Sequence, residues 1–275
     1  MNDRNRSAVA FTTVLVFTVQ LLMVTSNHAA AAKNVVLSAA RTETTGAVVP
    51  SAGDVVELHE RFVDRSRSAQ ARGSRARSNT RVLPTTVLLP AHRKGAPLLV
   101  FAIGFNNSAA GYRDFLMAFA RIGYVVAAPE FPLATNTLPG RPLQADVPNE
   151  PGDLRFVISA ILKANAQPGP LHHLVDGGRI AVVGQSDGAI SAAAIGLNAC
   201  CIDRRVGAVV WISGDESFMA STWTSKQTRP WLGIHGKADR TAPFRYLFAN
   251  RRALQRFSSL ANVGPFHLTA DPAIA

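Results

Sequence analysis

Ile180-Ala-Val-Val-Gly-Gln-Ser-Asp-Gly188, followed by the small-residue run 189–197, is the stretch that decides the fold. The apolar run 180–183 predicts a buried strand and the run 189–197 predicts a helix, so the pentapeptide joins a strand to a helix. Glycine on either side of Ser186 lets the backbone take strained dihedral angles and lets strand and helix approach closely. The context predicts a sharp turn that presents Ser186 at the end of a strand. A structural serine in a glycine-rich turn is the alternative.

Outward from this stretch, strands and helices alternate from residue 97 on. Continuous apolar runs predict strands at 98–103, 124–128, 180–183, 206–212 and 230–234, with a weak last strand near 258–263. Apolar residues at helical spacing predict helices around 112–119, 154–162 and 244–257, and Gly123 ends the first of them. Two earlier runs, 55–58 and 81–89, are predicted as edge strands, since Pro84 suits an edge. This alternation predicts one α/β domain over residues 55–275, with a mostly parallel sheet covered by helices on both faces.

The first 54 residues predict a leader and a linker. Arg4 and Arg6 precede an uncharged apolar stretch at 8–24, and an alanine-rich tail at 25–32 offers signal-peptidase sites. This pattern favours a cleaved signal peptide at 1–32 and a secreted protein. An uncleaved anchor formed by 8–24 stays open, because the apolar stretch is long for a signal peptide. Residues 33–54 carry little information and are predicted as a linker.

The chain is basic, with a formal net charge of +11. Much of this charge lies in one Ser/Ala/Gly-rich segment, at Arg61, Arg65, Arg67, Arg72, Arg75, Arg77 and Arg81. The segment is almost free of aromatic residues, which argues against a nucleic-acid partner. It is predicted as a solvated loop, with weak attraction to an anionic envelope surface as the alternative.

Cysteine usage indicates neither a disulfide framework nor a metal site. The chain has two cysteines, the adjacent Cys200 and Cys201, and adjacent residues are poor disulfide partners. Buried free thiols are therefore expected, with a vicinal disulfide as the minor alternative.

Residues after two further strands supply what a serine nucleophile needs. A serine hydroxyl reacts only with a base in hydrogen-bond reach that is itself oriented by a third group. Asp239 follows the strand predicted at 230–234, and His267 follows the last predicted strand, in the order Ser, Asp, His. The alternatives are Asp215 and Glu216 for the acid and His235 for the base, whereas His172 and His173 are expected at the surface.

On these motifs the chain resembles the α/β-hydrolases, and more closely the secreted bacterial esterases grouped with dienelactone hydrolases, platelet-activating-factor acetylhydrolases and cutinase-like polyester hydrolases. The stretches that carry the resemblance are 101–107, 123–132, 184–188 and 234–243. The resemblance implies an α/β-hydrolase fold and a triad of Ser186, His267 and Asp239. It also implies an oxyanion hole made by the backbone N–H groups of Phe105 and Asp187, with no metal and no cofactor.

The expected activity is hydrolysis of carboxylic esters through an acyl-enzyme. The segment 213–230 is too short for a large lid, so short-chain or accessible esters, small or polymeric, are the expected substrates. The side chains predicted to line the open cleft are Phe131, Phe218, Trp223 and Phe244, whereas Trp211 is expected in the core. A monomer is expected. The alternative is a non-catalytic exported protein of the same fold that binds a ligand or associates with the envelope.

Two acidic residues near the predicted site have expected orientations. Asp187 would oppose a developing oxyanion if its carboxylate pointed inward, so the carboxylate is predicted to point away from it. Glu130 is expected to pair with a backbone turn or a nearby arginine rather than to take part in chemistry.

Overall fold

The computed structural model describes residues 55–73, 76–91, 94–215, 218 and 229–235. The predicted leader, linker, helix 244–257 and strand 258–263 lie outside the described residues. Within the described ranges, no helix combines the length and the apolar character needed to cross a membrane.

The described residues form nine strands and three α-helices. The strands are β1 (Val55–Asp64), β2 (Ala69–Gln70), β3 (Arg77–Ser78), β4 (Arg81–Pro90), β5 (Ala96–Ala102), β6 (Val125–Pro129), β7 (Val175–Gln185), β8 (Val206–Ile212) and β9 (Trp231–Ile234). The helices are α1 (Arg113–Arg121), α2 (Glu150–Asn165) and α3 (Asp187–Leu197), with short 3-10 turns at Ala109–Tyr112 and Gln144–Asn149.

Seven strands form one sheet in the order β1-β4-β6-β5-β7-β8-β9, and β2 pairs with β3 in a separate small hairpin. The five strands from β6 to β9 in this order are parallel, while β4 is antiparallel to both β1 and β6. The predicted class, α/β with a mostly parallel central sheet, is confirmed.

Helices cover both faces of the sheet, and the side chains of β5 alternate between the two cores that these helices complete. Leu98 and Val100 face one core, which α2 and α3 complete, and Leu99 and Phe101 face the other, which α1 completes. The strands are apolar on both faces, as strands covered by helices on both sides must be.

The two N-terminal strands differ from the prediction. Strand β1 extends to Asp64 and pairs along the whole of β4, so β4 lies inside the sheet and its assignment as an edge strand was wrong. Proline is tolerated there because the β6 ladder begins at Thr85, which leaves Pro84 with β1 as its partner strand. The hairpin of β2 and β3 was missed.

The prediction of buried free thiols was also wrong. Cys200 and Cys201 form a disulfide with each other, and Cys200 is exposed. The turn after α3 is closed by Asn198, whose carbonyl accepts from the Cys201 N–H (3.0 Å) and whose Oδ1 accepts from the Cys200 N–H (3.0 Å). This tight surface turn brings the two sulfur atoms together.

Candidate active site

Ser186 lies between the last residue of β7 and the first residue of α3, in a strained backbone conformation. Its φ is 55° and its ψ is −128°, a region that residues with a side chain rarely occupy and that clusters at functional sites. A hydrogen bond to β8 stabilises this conformation, since the Ser186 N–H donates to the carbonyl of Ile212 at 2.9 Å. The side chain is half-buried, so it is accessible from solvent.

The two glycines of the pentapeptide are required by close backbone contacts. A Cβ on Gly184 would lie 2.1 Å from the carbonyl oxygen of Gly188. A Cβ on Gly188 would lie 2.1 Å from the carbonyl oxygen of Ala102, at the end of β5. Strand and helix therefore pack as closely as the sequence pattern predicts, and we call this strand–turn–helix around Ser186 the elbow.

The loop after β5 lies beside this elbow, because β5 and β7 are parallel neighbours that end at the same edge of the sheet. Within the described part of the chain, the backbone N–H groups of Phe105 and Asp187 have no hydrogen-bond acceptor. The next residue, Asn106, has φ 55° and donates its N–H to the carbonyl of Ala134 at 2.8 Å. Asn107 shapes the loop, since its Oδ1 accepts from the Ser108 N–H at 2.8 Å.

A polar bridge that sequence reasoning missed joins this loop to the elbow. The Tyr112 hydroxyl donates to Oε1 of Gln185 at 2.5 Å, and burial raises the pKa of Tyr112 to about 12. Gly104 fits between them, since a Cβ there would lie 2.8 Å from Gln185 Oε1. Gln185 belongs to the pentapeptide, but no local pattern pairs it with a tyrosine 73 residues earlier.

The carboxylate of Asp187 is buried and accepts a hydrogen bond from Nε2 of Gln144 at 2.8 Å. Burial raises the pKa of Asp187, the Gln144 hydrogen bond opposes the rise, and the charge of Asp215 adds to it. The prediction that this carboxylate points away from the oxyanion stays a prediction.

Beneath the elbow lies a second acid that sequence reasoning missed. Glu150, 0% exposed, accepts a hydrogen bond from the Ser191 hydroxyl at 2.6 Å, and that hydroxyl is also 3.3 Å from the carbonyl of Asp187. Burial raises the pKa of Glu150 well above its ordinary value; the Ser191 bond opposes this, and Asp153, Asp146 and Asp187 add to it. The sequence shows acidic residues just before the predicted helix 154–162, but no local pattern shows that Glu150 is buried.

The arginine-rich segment packs against the molecule at the same edge of the sheet. Arg81, 2% exposed, bonds both oxygens of Asp146 and both oxygens of Asp153 at 2.6 to 3.2 Å. Arg67 bridges Asp64 and Asp153, at 2.7 Å each. Burial lowers the pKa of Arg81, but hydrogen bonds and charges of the two aspartates outweigh it and raise that pKa. These five side chains form one ionic cluster, in which Arg67 is half-buried and the other four are buried.

Arg72 holds the loop that follows β6. Its guanidinium donates to four backbone carbonyls, those of Pro132 (3.0 Å), Thr135 (2.6 Å), Leu138 (3.0 Å) and Gly140 (3.2 Å). The same loop supplies the Ala134 carbonyl that accepts from Asn106, so Arg72 supports the loop beside the elbow.

The prediction of a solvated arginine loop is therefore wrong for Arg67, Arg72 and Arg81. Their partners lie up to 86 residues further along the chain, where no local pattern indicates them. Arg61, Arg65 and Arg77 are exposed as predicted, and Arg75 lies outside the described residues.

The predicted cleft aromatics divide into three groups. Phe131 is 1% exposed and belongs to the core on the α2 and α3 side, which corrects its assignment to an open cleft, since its ring has no surface for a substrate. Phe218 is 42% exposed, whereas Trp223 and Phe244 lie outside the described residues. Trp211 is buried, which confirms its place in the core.

The predictions for three other residues are confirmed. Glu130 supports a backbone turn, since it accepts from the Ala109 N–H at 2.8 Å and from the Thr135 hydroxyl, and burial raises its pKa. His172 and His173 are exposed.

The rest of the predicted triad is not described by the structure. Asp239, His267 and the alternative acid Glu216 lie outside the described residues, as does most of 213–230, so the triad and the missing lid stay predictions. The alternative acid Asp215 lies three residues after the end of β8, and the alternative base His235 directly follows β9, both at the edge that carries Ser186. Among the described residues, no three His, Cys, Asp or Glu side chains are placed to hold a metal ion.

No protein-family model and no curated protein matches the chain. Among solved structures, the chain is similar to a ferulic acid esterase from Streptomyces cinnamoneus, with 22% identity and a TM-score of 0.49. The match covers 69% of this chain and 66% of that esterase, so the chain spans slightly less than two thirds of its length.

Proposed function

We propose that this protein is a serine hydrolase that cleaves carboxylic esters through an acyl-enzyme. The observation that carries the proposal is the strained backbone of Ser186, which sits between a strand and a helix that meet through two glycines. The neighbouring N–H groups of Phe105 and Asp187, which lack acceptors among the described residues, support it. A strained serine beside two unused backbone donors is what acyl transfer requires.

The proposed mechanism assigns one role to each group. Ser186 Oγ attacks the ester carbonyl while His267 takes its proton, and Asp239 holds the imidazole in the required tautomer. The N–H groups of Phe105 and Asp187 stabilise the oxyanion, each worth about 3–4 kcal/mol by analogy with removed donors elsewhere. His267 then protonates the leaving alcohol, and a water molecule that it activates releases the acid. The mechanism uses no metal and no cofactor.

The sequence features already described, the leader 1–32 and the short segment 213–230, extend the proposal to substrate class and location. The substrates are short-chain or accessible esters, small or polymeric, and the protein acts outside the cell as a monomer after export through the leader 1–32. An anchor formed by 8–24 is the alternative for the leader. Phe218 is the described aromatic that is exposed enough to contact a substrate.

The test is hydrolysis of p-nitrophenyl acetate, butyrate and palmitate by the full chain and by Ser186→Ala. The substitution should reduce kcat at least about a thousandfold, because the nucleophile is lost. A fluorophosphonate probe should add its mass to the peptide that contains Ser186.

Ser159→Ala is the matched control, since Ser159 is exposed on α2, and it should keep full activity. Activity that survives in Ser186→Ala would refute the mechanism. A folded protein that neither hydrolyses any of the three esters nor reacts with the probe would favour the non-catalytic binding protein.

A further inference from the structure

A cavity of about 150 Å³ lies beside the arginine-rich segment, and the proposed mechanism does not use it. The residues that line it are Ser68, Gln70, Arg77, Arg81, Leu133, Leu143, Ala145, Asp146 and Asn149. It thus lies between the hairpin of β2 and β3 and the chain that precedes α2.

The cavity lies at the edge of the sheet that carries Ser186. Strand β4 runs antiparallel to β6, so its first residue, Arg81, lies at the edge where the parallel strands β6, β5 and β7 end. Leu143 and Ala145 line the cavity, and Gln144 between them donates to the carboxylate of Asp187. One residue therefore connects the wall of the cavity to the residue that follows the nucleophile.

Most charges around the cavity neutralise one another. Arg81 bonds both oxygens of Asp146, and Asn149 Nδ2 also donates to Asp146 at 2.7 Å. Arg77 differs, since its described hydrogen bond is the one from Nη2 to the Ser68 hydroxyl (2.7 Å), and no described carboxylate lies within ion-pair distance. An exposed guanidinium with five N–H donors therefore faces the cavity without a described counter-ion.

The size and walls of the cavity fit one end of a substrate rather than a whole ligand. A volume of about 150 Å³ has room for a group of roughly six heavy atoms, whereas sites for whole small molecules span roughly 300–1,000 Å³. The lining is mostly polar, with Leu133, Leu143 and Ala145 as its apolar members, so it suits a short stem that ends in an anion. A planar guanidinium pairs with a carboxylate through two parallel hydrogen bonds.

We propose that this cavity is a subsite for a carboxylate at the far end of the acyl chain, with Arg77 as its cation. The substrate class is then the monoesters of dicarboxylic acids, in which Ser186 attacks the ester end while the free acid end is held in the cavity. This inference rests on the proposed function, because it assigns the cavity to the ester that Ser186 attacks.

The test compares two series of ethyl esters that differ in one group. Monoethyl adipate and monoethyl suberate carry the free carboxylate, and their matched partners carry a carboxamide in its place. The protein should show a higher kcat/KM for the carboxylate ester at one chain length. Arg77→Gln should lower the ratio of the two kcat/KM values about fivefold, the upper range for an exposed charge pair, and salt should lower it in the same direction.

Arg65→Gln is the control, because Arg65 is exposed on the same segment and does not line the cavity. It removes the same net charge and should leave the ratio unchanged. A ratio that is independent of Arg77, or no preference for the carboxylate at either chain length, overturns the proposal. Inhibition by inorganic phosphate as strong as that by adipate also overturns it, since the cavity would then be a general anion site.

A binding measurement separates failure of this inference from failure of the proposed function. Isothermal titration of Ser186→Ala with monoethyl suberate needs no turnover, and it should give a Kd that Arg77→Gln in the same background raises about fivefold. If the protein hydrolyses no ester but still shows this Arg77-dependent binding, the hydrolase proposal fails and the carboxylate site stands. If it hydrolyses both series equally and the titration shows no dependence on Arg77, the hydrolase stands and the carboxylate site is refuted.

Discussion

The elbow around Ser186 and the arginine-rich segment lie at the same edge of the sheet, yet they are built in opposite ways. The elbow depends on backbone contacts too close for any side chain, such as Gly184 against Gly188 and Gly188 against Ala102. The arginine segment depends on pairs as distant as Arg67 and Asp153, which lie 86 residues apart. One is held by steric fit and the other by buried charge.

This difference decides what a sequence reveals. A close backbone approach requires glycine at fixed positions, and the five consecutive residues 184–188 show that requirement directly. A run of arginines is compatible with a solvated surface or with a buried ionic cluster, because the outcome depends on which carboxylates the fold brings near. Each region can be tested by removing the interaction that holds it.

The largest effect is expected from Arg81→Met in the ionic cluster. The substitution leaves Asp146 and Asp153 buried without their cation, and breaking a buried ion pair in this way costs about 4 kcal/mol of unfolding free energy. The loss should shrink as the pH falls, because burial raises the pKa of Asp153, and its carboxyl is no longer an unpaired charge once it is protonated. Chemical denaturation at pH 5 and pH 7.5 measures both quantities.

Arg65→Met is the control for this prediction. Arg65 is exposed on the same segment, so its substitution should change the unfolding free energy by less than about 0.5 kcal/mol. If Arg81→Met costs no more than Arg65→Met, the segment is a solvated loop after all and the contrast with the elbow disappears.

Gly188→Ala tests the steric side of the comparison. The added Cβ would meet the carbonyl of Ala102 at 2.1 Å, and strand β5 cannot move without disturbing the core, so a loss of about 3 kcal/mol is expected. Esterase activity should fall with it, since the same contact sets the position of Ser186. Thermal unfolding and hydrolysis of p-nitrophenyl butyrate report the two effects.

The matched glycine is Gly177 in β7, the strand that leads into the elbow, where a Cβ would meet the end of the Leu162 side chain at 3.2 Å. A flexible side chain can give way, so Gly177→Ala should change the unfolding free energy by less than about 1 kcal/mol. Equal losses in both variants would show that the elbow glycine has no special steric role.

The residues also show how far sequence reasoning reaches. Periodicity placed β8 at 206–212, as observed, and predicted both helix-covered faces, because apolar runs and helical spacing are local signals. The elbow and its strained serine position followed from five residues. The bridge from Tyr112 to Gln185, the buried Glu150 and the Arg72 contacts did not, because each joins residues at least 41 positions apart.

Glu150 stands between the two regions, and the effect predicted for it disappears near pH 4. It begins α2 among the aspartates of the ionic cluster, yet it is one hydrogen bond from α3 through Ser191. Its raised pKa keeps the proton in the folded state, whereas the unfolded state loses it above about pH 4.3, so Glu150 lowers stability as the pH rises.

Glu150→Gln removes this titration and keeps an oxygen for the Ser191 hydroxyl. The variant should match the parent protein near pH 4 and become more stable above it, by about 1.4 kcal/mol for each unit of the pKa shift that the pH range covers. Melting temperatures from pH 4 to pH 8 measure the trend, beside Glu60→Gln, which removes a carboxyl on β1 that is only half-buried. A stability difference that does not grow with pH would mean that Glu150 ionises freely. The hydrogen bond between Ser191 and Glu150, which joins the elbow helix to the ionic cluster, would then be made by a charged carboxylate rather than by a protonated one.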